Sequence, residues 1–117
     1  MKYQITLEDA IARLGKQRQQ IFTDLMKKGT MQVQYYAPEK TRVLQPRQQD
    51  EIFVIASGFT TFYRNGERLS CRAGDVLFVP AGMEHRFENY TDDFATWVVL
   101  YDDAERKHSS KGDKPFL

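Results

Sequence analysis

The sequence predicts an all-β protein, a sandwich or small barrel of short strands with one short helix at the N-terminus. Three observations predict it. Short apolar runs recur from residue 21 to residue 101, turn signals built on glycine separate them, and helical spacing is confined to residues 6–14.

In the helix, Thr6 is the N-cap, Asp9 follows three residues on, and Leu7, Ala10, Ile11 and Leu14 share one stripe. Gly15 is expected to end it. Residues 1–20 are thus helix and link. Residues 21–26 and 31–36 are strand candidates, separated by Lys27, Lys28, Gly29 and Thr30 in a hairpin pattern. The second alternates, with Met31, Val33 and Tyr35 set against Gln32, Gln34 and Tyr36. Further strands are expected at residues 41–45, 51–56, 59–64, 67–71, 76–79, 85–88 and 94–101. Asn65-Gly66 is a strong hairpin signal, because a type I′ turn needs positive φ at both central residues and these two tolerate it best. Ser57-Gly58, Ala73-Gly74 and Pro80-Ala81-Gly82 supply other breaks. Strands this short, joined this tightly, argue against a parallel sheet with crossover helices. The strands occupy residues 21–102, and residues 103–117 form a polar tail without period, expected to be flexible.

A chain of 117 residues can bury one core but not two comfortable ones, so a single domain is expected. Hydrophobic residues at 41% and charged residues at 28% suit an ordinary globular chain rather than a disordered one. Seventeen basic against 16 acidic residues leave a formal charge of +1, so no overall field recruits nucleic acid or an anionic membrane, and neither partner is expected. Glu8, Asp9 and Arg13 interrupt the first residues, and no apolar run approaches membrane-spanning length; a cytoplasmic location is expected. The single cysteine, Cys71, is expected to be a buried, inert strand residue.

Chemistry concentrates in one stretch. Gly74, Pro80, Gly82, His85 and Asn89 stand in the spacing G-x5-P-x-G-x2-H-x3-N. The glycines and the proline turn the chain around residues 76–79, and His85 opens the returning strand, with Phe87 and Asn89 expected on its face. That spacing is the complete second motif of the cupins, which this sequence resembles over residues 31–101. The first cupin motif, G-x5-H-x-H-x3,4-E-x6-G, is present only in its last half, as Glu51 and Gly58. Its two histidine positions fall on Gln45 and Arg47. The resemblance implies a double-stranded β-helix, a jelly-roll-like barrel, with Glu51 and His85 facing one polar pocket lined by Arg47, Phe53, Phe78 and Phe87. It also implies a homodimer and a small-molecule ligand.

Metal-holding cupins use three histidines and one glutamate, of which similarity carries over only Glu51 and His85. Gln45 could add an amide oxygen, giving at most a weak site for iron, manganese, nickel or zinc. Catalytic zinc usually has three protein ligands, and non-haem iron two histidines and a carboxylate. Arg47 cannot ligate, and its fixed charge would repel a cation, so it is expected to pair with Glu51 instead. The preferred function is therefore a small-molecule-binding domain, either without a cofactor or with a divalent transition metal. The alternatives are a metal-dependent oxygenase or isomerase, and a metal-free catalyst in which His85 acts as base and Glu51 orients it. The sensory part of a transcription factor would need a DNA-binding module, and with 117 residues none is expected.

Overall fold

The computed structural model describes residues 3–16, 22–38 and 46–103. Helix α1 (Leu7–Lys16) is followed by β1 (Phe22–Lys28), β2 (Met31–Tyr36), β3 (Asp50–Ser57), β4 (Phe59–Arg64), β5 (Glu67–Arg72), β6 (Val76–Val79), β7 (His85–Glu88) and β8 (Ala95–Tyr101). The helix starts on the expected cap: Asp9 N–H donates to Thr6 Oγ1 at 3.0 Å, and Thr6 N–H to Asp9 Oδ2 at 3.4 Å. It does not stop at Gly15 but continues to Lys16. Gly15 is absent from the residues with positive φ, and a glycine ends a helix only when it takes that left-handed conformation.

All strand pairings are antiparallel and fall into two sheets, β1-β2-β8-β3-β6 and β5-β4-β7. Among the described residues no ladder joins the sheets, so the architecture is a two-sheet jelly roll rather than a hydrogen-bonded closed barrel. The strand expected at residues 41–45 and the tail from residue 104 lie outside the described residues. Asn65 and Gly66 form the hairpin tip between β4 and β5, with φ of 48° and 88°.

Registers fix which side chains meet between the sheets. Glu51 pairs with Val79 and Leu100, and Phe53 with Leu77 and Val98, so these project from one face. Phe62 faces them from the other sheet, flanked by Phe87. Phe53, Ile55, Phe62, Val79, Phe87, Val98 and Leu100 form the main core with Tyr36 and Phe94. A second apolar cluster lies on the outside of the larger sheet, where Ala10 of α1 packs against Leu25, Tyr35 and Ala95. The helix therefore covers part of one sheet and leaves the space between the sheets to the strands. Cys71 is buried in the main core, and burial first, then Asp75, pushes its thiol up, as befits an inert thiol.

At the far end of β3, Gly58 has φ +81°, and a Cβ there would lie 2.5 Å from Thr91 Oγ1 and 2.8 Å from Phe94 Cα. Only glycine fits, which gives the last glycine of the first motif a steric reason. No helix among the described residues is long and apolar enough to cross a membrane.

Candidate functional site

The turn through Pro80 and Gly82 is tied to the segment that carries Arg47 and Glu51. Ala81 N–H donates to Asp50 Oδ1 at 2.9 Å, and Gly82 N–H, on a residue with φ +78°, to the Arg47 carbonyl at 2.7 Å. Two distant parts of the sequence are thereby held at one end of the jelly roll. His85 leaves this turn as the first residue of β7, and Glu51 enters as the second residue of β3.

Their side chains meet there. His85 Nε2 lies 3.6 Å from Glu51 Oε1, and both side chains are almost fully buried. A carbonyl can only accept, so the 2.9 Å contact of His85 Nδ1 with the Met83 carbonyl places the proton on Nδ1 and leaves Nε2 with a lone pair toward Glu51. Met83, rather than Glu51, sets the tautomer. Burial is the main influence on both groups. It pushes Glu51 up to about 7 against the opposing pull of Arg47, and it lowers His85 despite the Met83 bond, with Arg47 lowering it further. The contact therefore joins a carboxyl and an imidazole that are each driven toward neutrality, not a strong ion pair.

Arg47 points into this cluster. Its Nε lies 3.9 Å from Glu51 Oε2, its NH1 donates to Gln34 Oε1 at 3.0 Å, and the guanidinium stacks over the Phe22 ring at 4.6 Å. Gln34 in turn donates to Asp24 Oδ1 at 2.7 Å, as does Gln32. The polar inner surface thus runs from Asp24 on β1 through Gln34 on β2 and Arg47 to Glu51 and His85. Beneath it, Phe53 and Phe62 place their ring centroids 5.7 and 6.2 Å from the imidazole, and Phe87 meets Phe53 edge-on at 5.1 Å.

Phe78 corrects the expected pocket lining. It pairs with Ile52, on the face opposite to Glu51 and Phe53, while its neighbours Leu77 and Val79 take the inner positions. The apolar run Val76, Leu77, Phe78, Val79 has no alternation, so parity within it could not be read from the sequence. Asn89 is likewise not on the inner face: β7 ends at Glu88, and Asn89, at φ 48°, turns the chain. Gln45 lies outside the described residues. Sequence reasoning missed Gln34, Asp24, Phe22 and Phe62. The alternation of residues 31–36 already put Gln32, Gln34 and Tyr36 on one face, and that was the available signal for the first.

A transition metal does not fit these residues. Among those described, no three His, Cys, Asp or Glu side chains converge, and the position beside Glu51 and His85 is taken by a guanidinium.

Comparison with known proteins agrees with this architecture. The sequence profile described as the Cupin domain matches residues 31–101. An uncharacterized protein of Streptomyces coelicolor is 29% identical over 81 residues, covering 68% of this chain and 77% of its own. Two crystal structures share the fold. A Rhizobium leguminosarum protein of unknown function superposes with a TM-score of 0.68 at 18% identity, over 88% of this chain and 99% of that one. A Cupin 2 conserved barrel domain protein from Salinispora arenicola gives 0.59 at 24% identity, over 74% and 79%.

Proposed function

The chain belongs to the cupin domain family, and on that premise we propose that it binds a small molecule at the Arg47, Glu51 and His85 cluster without a transition metal. The observation that carries this is the guanidinium 3.9 Å from Glu51, in the place where a metal-holding relative would need a neutral ligand. Glu51 and His85 then serve as hydrogen-bonding groups for a ligand, set above the aromatic floor of Phe53 and Phe62.

The test is metal content by plasma mass spectrometry on protein purified without an affinity tag, parent beside Arg47→His. The variant restores two histidines and a carboxylate, so it should take up close to one zinc or iron per chain while the parent holds little. A parent that already carries one tightly held metal per chain would overturn the reading.

A metal-free proton-transfer role is the second reading, favoured by the His85 Nε2 lone pair beside a carboxyl raised to about 7. Both readings use the same side chains and differ in whether the ligand leaves unchanged. Incubating a bound ligand with the protein and recovering it chemically altered, but intact from His85→Gln, would favour catalysis.

A further inference from the structure

Arg47 is held at several points and open at another. Its plane is set by the Phe22 ring at 4.6 Å and its NH1 by Gln34 Oε1 at 3.0 Å. The Gln34 amide is itself oriented, because its nitrogen donates to Asp24 Oδ1 at 2.7 Å and so turns its oxygen toward Arg47. The Nε to Glu51 distance of 3.9 Å is too long for a hydrogen bond. Of the five N–H donors of this guanidinium, the residues described accept from NH1 alone, and the side chain keeps 26% of its surface exposed.

A guanidinium fixed in plane and rotation, with donors that the described residues leave unused, is matched to two oxygens in one plane. Charge narrows the class. One fixed cation balances one negative charge, whereas the second charge of a dianion would have no cation to balance it and would add to any charge on the Glu51 carboxyl, which stands 3.9 Å from the guanidinium Nε. The Phe22 ring that carries the guanidinium is itself held by a 4.5 Å stack on the buried ring of Tyr36, which fixes the platform under Arg47.

We propose that Arg47, oriented by Phe22, Gln34 and Asp24, receives the carboxylate of a small monocarboxylic ligand whose remaining polar groups face Glu51 and His85. This rests on the small-molecule reading above and adds the ligand class to it.

The test is calorimetric titration at pH 7 with matched pairs: acetate and acetamide, lactate and lactamide, benzoate and benzamide, with sulfate and inorganic phosphate as doubly charged probes. At least one carboxylate should bind ten-fold or more tightly than its amide. That advantage should vanish in Arg47→Gln and largely vanish in Arg47→Lys, which keeps the charge but loses the fork. Gln34→Leu should weaken the carboxylate several-fold while leaving the affinity of the amide unchanged, which a merely structural role would not produce. Circular dichroism verifies that each variant is folded, and any one of the three suffices. Amides that bind as well as carboxylates, in parent and variants alike, would overturn the ligand class and leave small-molecule binding standing. Preference for sulfate or phosphate would overturn it too, as would no carboxylate binding at all. Metal found in the parent would instead strike the reading beneath it.

Discussion

Replacing Glu51 by glutamine should remove a specific part of the pH dependence of stability. The fold raises this carboxyl from 4.5 to about 7, chiefly by burial, so it binds the proton more tightly folded than unfolded. Its contribution is therefore fully present below about pH 4.5 and lost as the pH rises through about 7. Converted by linkage, the loss amounts to about 3 kcal/mol. Side-chain exposure of 3% leaves little solvent screening to reduce it. Glutamine keeps the shape and cannot ionise. Urea unfolding of parent and variant from pH 4.5 to 8.5 measures the difference between them, in which other titrating groups largely cancel. Relative to the parent, the variant should gain about 3 kcal/mol across that range, most of it between pH 5 and 7.5. A difference that stays constant with pH would refute a buried, raised carboxyl at this position. His85 works in the opposite sense, since its lowered value makes stability fall as the pH drops below 6.5, and this limb should survive in the variant.

Two further substitutions test the framework around the site. Gly58→Ala forces an L residue to φ +81° and a Cβ to within 2.8 Å of the Phe94 backbone, so it should cost at least about 2 kcal/mol, read as a lower melting temperature in calorimetry; an unchanged value would contradict the geometry. Thr23 Oγ1 is buried on β1 without a hydrogen-bond partner among the described residues, so Thr23→Val should stabilise by about 1 kcal/mol in urea unfolding, and a loss of stability would show that the hydroxyl has a partner.

Features carried by short-range chemistry were legible in the sequence. The Asn65-Gly66 turn, the Thr6 cap and the strands at residues 31–36, 59–64, 76–79 and 85–88 depend on residues a few positions apart, and the structure has them at those bounds. The motif spacing around Pro80 and Gly82 pointed to His85 for the same reason, since a tight reversal requires particular residues at particular steps. Alternation says that a strand has two faces, but an unbroken apolar run such as Val76 to Val79 does not say which is inside. Only the pairing of Val79 with Glu51 and of Phe78 with Ile52 decided that. The same holds for the environment of Arg47. Its place next to Glu51 was implied by the motif position that the cupin resemblance gave it, whereas Gln34, Asp24 and Phe22 come from β1 and β2 and reach it only because the larger sheet sets those strands beside β8 and β3. Residue types and turns are determined locally, but burial and the partners of a charge depend on which strands become neighbours, and that is decided by the packing of the whole chain.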